Sequence, residues 1–315
     1  MARTEPPPVP DPTFEPQGFV VLVSSADRIH FLDWGEPDSA PDVAGPGILL
    51  VHGLSGTAWS WAPVARRLRG ARRVIAMDLR GHGLSDAPTE GYDVATQAAD
   101  VVAVAEGSGL LAGPSDRVVL AGHGFGAVVA TWGAAALGER CAGLVLVDGG
   151  FETLATADAD LDEYLRALDE PPEVLRSMRA YLADRASWDP ATWDADQERA
   201  ARAAVVETAA GRVVPAVRPH AREAAARAFF AHRPGRALAA LRIPVTILVA
   251  GTVAESDGRA ARIVALDDLV AGLAADGRDV RTTRFPGGGH NLPRYRPAEL
   301  AAAILVADRP ATIPR

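Results

Sequence analysis

The chain has no lysine. All 32 of its basic residues are arginine, set against 40 acidic ones for a formal charge of −8. That balance argues against nucleic acid or an anionic membrane surface as a partner. Cysteine is nearly absent as well. With only Cys141, neither an intramolecular disulfide framework nor a Cys-based zinc site can form. Its position before an apolar run reads as a small buried residue. No apolar stretch approaches the roughly 20 residues of a membrane span. The opening MARTEPPPVPDPTFEP lacks a basic region followed by an apolar one, so it does not read as a signal peptide. Its prolines make residues 1–17 an extended tail. A soluble, cytoplasmic protein is expected. No Lys-Ser/Thr ends the glycine-rich turn at 122–126, as a phosphate-binding loop requires, and no cluster of metal-ligating residues stands out. No cofactor and no metal are expected.

What the chain does contain is a repeating alternation. Residues 18–23 and 28–33 flank Ser24-Ser25-Ala26-Asp27 and read as a hairpin. GILLVHG (47–53), RRVIAMDL (72–79), 117–121, GLVLVD (143–148), IPVTILVAG (243–251) and 279–285 are apolar runs of buried-strand length. Helical spacing fills 58–69, 94–105, 125–137, 259–274 and 297–307 between and after them. Repeated strand–helix units imply a mostly parallel, doubly wound α/β sheet. Residues 151–238 differ. They show helical stripes (Leu161, Tyr164, Leu165, Leu168; then Val174, Leu175, Met178, Tyr181, Leu182) and no strand-like run, which predicts an inserted helical cap. The division is therefore tail 1–17, core 18–150, cap 151–238 and core 239–308. The stripes read as packing rather than ligand contacts.

One more absence carries the functional question. Gly122-His123-Gly124-Phe125-Gly126 follows an apolar strand and opens a helix, the shape of a nucleophile elbow, G-x-S-x-G. Its centre, Gly124, has no side chain. His52-Gly53-Leu54 after the first parallel strand, Asp78-Leu79-Arg80-Gly81-His82-Gly83-Leu84-Ser85-Asp86 after the next, and Gly288-Gly289-His290 near the end complete an ordered set. With these motifs, residues 18–308 resemble the α/β-hydrolase fold superfamily, in its capped branch of esterases, epoxide hydrolases and carbon–carbon hydrolases.

That resemblance implies roles. The backbone N–H groups of Leu54 and Phe125 would form an oxyanion hole, and His290 would be the catalytic histidine. The acid partner has two locations. One follows Gly251, where Ala254 stands at the expected position with Glu255 beside it; the other is Asp148, and Glu255 is preferred. His82, with Asp78 and Asp86, reads as loop-ordering, while His52, Ser55, His123 and Trp59 are candidate pocket residues. Glycine at 124 can form none of the covalent intermediates that Ser or Asp would form there. It does relieve a backbone strained for residues with a Cβ. Two readings result. One is an enzyme acting on a small apolar substrate with His290 as general base and no protein nucleophile, by elimination, isomerisation, cyclisation or water addition. The other is a binder that keeps the pocket without turnover. A deliberate substitution at 124 is a third, minor possibility. The oligomeric state stays open.

Overall fold

The computed structural model describes residues 13–35, 45–156, 159–167, 177–251 and 259–310. Its centre is an eight-stranded sheet. The strands are β1 (Gln17–Leu22), β2 (Arg28–Asp33), β3 (Gly47–Val51), β4 (Val74–Met77), β5 (Val118–His123), β6 (Cys141–Val147), β9 (Val245–Ala250) and β10 (Val280–Phe285). Their order across the sheet is β1-β2-β4-β3-β5-β6-β9-β10. β1 pairs antiparallel with β2 and β2 with β4, while the six remaining strands run parallel. The sheet is the mostly parallel one that the strand–helix alternation predicts, with the hairpin as its antiparallel edge.

The inner parallel strands β3, β4 and β6 carry no polar side chain because both faces are covered, whereas the edge strand β10 (Val280–Phe285) places Arg281, Thr282, Thr283 and Arg284 at half-buried or exposed positions. Alternate residues face opposite layers. Leu49, Val51, Leu120, Leu144, Leu146, Ile247 and Val249 pack on one side with α2 (Val94–Gly107), α3 (Phe125–Leu137), α8 (Pro234–Ala239) and α9 (Arg259–Ala275). Ile48, Leu50, Val119, Val145, Val147 and Leu248 pack on the other with α1 (Ala62–Leu68) and α11 (Pro297–Leu305). The helix predicted over 58–69 begins as a 3₁₀ turn, Ala58–Trp61, and becomes α-helical where Pro63 favours a first turn.

Between β6 and β9 lie α4 (Leu161–Ala167), α5 (Met178–Trp188), α6 (Ala195–Ala203) and α7 (Pro219–Ala231), followed by α8. The expectation that this stretch holds no strand is corrected. β7 (Val205–Glu207) and β8 (Val213–Pro215) form an antiparallel ribbon. Each strand is only three residues long, too short to show alternation in sequence. The turn is closed by Thr208 N–H to the Arg212 carbonyl at 2.7 Å and Gly211 N–H to the Thr208 carbonyl at 2.9 Å. Leu168, Val174 and Leu175 of the apolar stripes lie outside the described residues. Of the rest, Tyr181 is buried and Leu161, Tyr164, Leu165, Met178 and Leu182 are half-buried.

This helical stretch is fastened to the core on α6. Arg66 of α1 forms a fork with Asp196, and Arg199 lies over the Trp59 ring at 4.6 Å. Across the sheet edge, α10 (Leu292–Tyr295) adds Arg294 Nε to Thr192 Oγ1 at 2.7 Å.

Candidate functional site

The carboxyl ends of β3, β5, β6, β9 and β10 meet along one edge of the sheet, where ligands bind in open α/β folds. Gly124 is the residue between β5 and α3. Its φ of 55° and ψ of −119° lie in a region that side chains disfavour. The flanking glycines have a different reason. A Cβ on Gly126 would come within 2.3 Å of the His52 carbonyl oxygen, and one on Gly122 within 2.2 Å of the Gly126 carbonyl oxygen. The strand–turn–helix is thus wound too tightly for any side chain at its two ends, while its centre is open. A Cβ built on Gly124 would meet His290 Nε2 at 3.4 Å in ordinary van der Waals contact.

His290 follows β10 and is held on its other ring nitrogen, Nδ1, by Asp148 Oδ2 at 2.6 Å. Asp148 is the first residue after β6. It accepts Ala250 N–H at 2.9 Å and Arg262 Nη1 at 2.8 Å on Oδ1. Its backbone is left-handed, with φ of 45°. Burial alone would push its carboxyl up. The bonds from His290, Arg262 and Ala250 outweigh that and hold it below the ordinary carboxylate range. Because the carboxylate accepts, Nδ1 carries the proton, so Nε2 presents its lone pair toward Gly124. His123 donates from Nε2 to the His290 carbonyl oxygen at 2.9 Å, and its ring lies 4.6 Å from that of His290. Burial pulls His123 down to about 4, so it is neutral at pH 7. A cavity of about 290 Å³ opens beside the pair, lined by Asp148, Glu152, Phe229, Ala250, Arg262 and His290.

A family model described as the alpha/beta hydrolase family matches residues 48–303, which takes in every motif at this edge. The chain belongs to the alpha/beta hydrolase family. Relatives by sequence include Epoxide hydrolase 4 of Mus musculus, 30% identical over 184 residues that cover 58% of this chain and 46% of the relative. Non-heme chloroperoxidase of Streptomyces lividans is 34% identical over 165 residues, covering 52% and 54%. The matches thus span about half the length of these relatives. Among solved structures, E-2-(Acetamidomethylene)succinate Hydrolase superposes with a TM-score of 0.71 over 93% of this chain and 98% of the other, at 21% identity. The thioesterase domain from the curacin biosynthetic pathway gives 0.69 over 92% and 99%, at 19%. Likeness at that identity concerns the fold.

Within this alpha/beta hydrolase fold the remaining sequence candidates separate. Glu255 and Ala254 lie outside the described residues; among the described residues the carboxylate on His290 is that of Asp148. Leu54 is half-buried, and Phe125 opens α3, so its N–H has no intrahelical acceptor. His52 is fully buried. Nδ1 donates to the Gly53 carbonyl at 2.7 Å and Nε2 accepts Leu79 N–H at 3.0 Å, which ties the ends of β3 and β4 together. Burial lowers it to about 4. Trp59 packs edge-on against Trp34 beneath Arg199, and Ser55 is exposed on its loop. Neither lines the cavity.

The loop-ordering reading of 78–86 agrees with the structure. Asp78 accepts Ala58 N–H at 2.7 Å, Leu84 N–H at 3.0 Å and His30 Nδ1 at 2.8 Å. His82 sets its ring nitrogens against the carbonyls of Arg80 and Leu54 at 3.0 and 2.5 Å. Arg262 and Glu152 were not foreseen. Glu152, four residues past Asp148, carries a signal in its nearness to a strand end. Arg262 is one of many arginines on helical tracts and carries none.

Proposed function

We propose that this chain is an enzyme that acts on a small, largely apolar organic substrate with His290 as general base and without a nucleophile supplied by residue 124. The supporting observation is a single arrangement. His290 is locked by Asp148 through Nδ1 at 2.6 Å, and its Nε2 faces the space over Gly124 where a side chain would stand. A histidine held in one tautomer beside an unfilled position is suited to take a proton from water or from the substrate itself.

In the hydrolytic form of the reaction, Nε2 takes a proton from water as the hydroxide oxygen adds to an epoxide carbon and the ring C–O bond breaks, its electron pair passing to the ring oxygen. The oxygen that gains charge is received by the N–H groups of Leu54 and Phe125. Imidazolium then returns the proton to that oxygen. A preorganised donor pair of this kind is worth about 3 kcal/mol per donor to a transition state. Phe229 of α7 on the cavity wall supplies apolar surface, and with it the helical stretch after β6 contributes to the site as a cap would. Relatives named epoxide hydrolase make epoxides the first compounds to screen.

Gly124 also favours a second reading, a binder in which the pocket is kept and turnover lost. His290→Ala separates the two. Loss of turnover, with no labelling of the parent protein by serine-directed phosphonates, supports base catalysis. Saturable binding with no His290-dependent product supports the binder. Phosphonate labelling of a serine with loss of activity overturns the nucleophile-free mechanism.

A further inference from the structure

Arg262 and Glu152 have no part in the mechanism above, yet they line the same cavity and bond to its carboxylate and to each other. Arg262, on α9, sets Nη1 on Asp148 Oδ1 at 2.8 Å and directs Nε and Nη2 to Glu152 Oε1 at 2.8 and 2.5 Å. Its guanidinium lies over the Phe151 ring at 4.6 Å. The Asp148 carboxylate is thus divided. Oδ2 goes to His290, while Oδ1 is gripped by Arg262 and by Ala250 N–H. Both outer side chains are mostly enclosed, with 23% of Arg262 and 17% of Glu152 exposed, so water screens them only in part.

We propose that Arg262 and Glu152 are positioning residues that orient Asp148 and set how strongly its carboxylate draws a proton onto His290. The inference rests on His290 acting as the base, but it can be read independently of turnover. The charge arithmetic is simple. Asp148 and Glu152 are negative and Arg262 is positive, so the cluster behind the imidazole carries −1. Removing the arginine charge leaves −2, and neutralising Glu152 leaves 0. A base that must stay unprotonated at neutral pH is better served by −1 than by −2.

The other groups facing His290 do not change across that series. His123 from β5 lies ring to ring with it and donates to its carbonyl. Tyr295 of α10 packs where a side chain on Gly289 would stand. Arg294 is turned away, onto Thr192 and the Asp189 carbonyl.

The test is a histidine-labelled NMR titration of the full chain, with the His290 ring signal assigned by its loss in His290→Gln. Arg262→Met is expected to move the His290 midpoint upward, and Glu152→Gln to move it downward, each by about 0.5–1 pH unit. Arg262→Lys, which keeps the charge, stays near the parent. Shifts in the same direction, no shift in Glu152→Gln, or Arg262→Lys following Arg262→Met would each overturn the proposal. If Arg262→Met does not fold, the Glu152→Gln and Arg262→Lys pair still decides. Once a substrate is found, the acid limb of kcat/KM should follow the same order. Undiminished turnover in His290→Ala would remove the base role while leaving the titration series intact, so the two failures are distinguishable.

Discussion

Two histidine–aspartate contacts stand at the same edge of the sheet, and their surroundings differ. His30 and Asp78 meet at 2.8 Å with 7% and 4% of their side chains exposed. His290 and Asp148 meet at 2.6 Å, but 65% of the His290 side chain is exposed. The first carboxylate also accepts two loop N–H groups and lies 4.0 Å from His52, whose own nitrogens are both committed to backbone. The second carboxylate holds a ring whose far nitrogen has open space in front of it. A short bond between imidazole and carboxylate is therefore not a reactive site in itself. What separates the pairs is whether one ring nitrogen is left unoccupied and reachable.

The sharpest way to break this contrast is to remove each member in turn. His290→Ala should lower turnover about 10²–10⁴-fold, the usual share of a general base, with a fall in urea midpoint smaller than that of Asp78→Asn because Arg262 and Ala250 still bond Asp148. Asp78→Asn should do the reverse. Removing one partner of a buried pair costs about 3–5 kcal/mol, read as a fall in the urea midpoint, while the activity of the folded fraction persists. If Asp78→Asn inactivates without destabilising, the two pairs are not distinct in role. Gly124→Ser comes next. A side chain at φ of 55° should cost about 1–3 kcal/mol of stability. The variant should also become reactive toward serine-directed phosphonates if His290 faces position 124 as described.

The smallest effect is graded with pH. His52, His123 and His232 are each brought down to about 4 by burial, whereas an unfolded histidine titrates near 6.5. Below that higher value the unfolded chain binds more protons, so stability is intact above about pH 6.5 and declines as pH falls toward 4. The limiting slope is about 1.4 kcal/mol per pH unit per histidine. Asp78 and Asp148, both held below the ordinary carboxylate range, extend the decline below pH 4. Urea midpoints between pH 7.5 and 4 measure it. A flat profile would show that these histidines are accessible to protons in the fold.

The sheet was readable in the sequence because its inner strands are covered on both faces, so β3, β5 and β6 appear as unbroken apolar runs ended by glycine or aspartate. His290 and Gly124 were readable from the order of motifs. The contact of His290 with Asp148 was not, since it spans 142 positions and depends on β6 and β10 flanking β9. Sequence preferred Glu255, beside the position expected after Gly251, over Asp148; Glu255 lies outside the described residues, and Asp148 is the carboxylate found on His290 among those described. The β7–β8 ribbon was missed because three-residue strands have no period. His52 failed to stand apart from His290 for a simple reason. Residue type carries no record of which nitrogen is already bonded.

The left-handed backbone at Asp148 has a consequence for how this site can vary. Only glycine, asparagine and aspartate adopt that conformation readily, so a saturation library at 148 should return these three as its well-folded members. Two of them carry no charge. The position thus has a single state that is both folded and ionised, and a lineage leaving aspartate there has no gradual route back through glutamate.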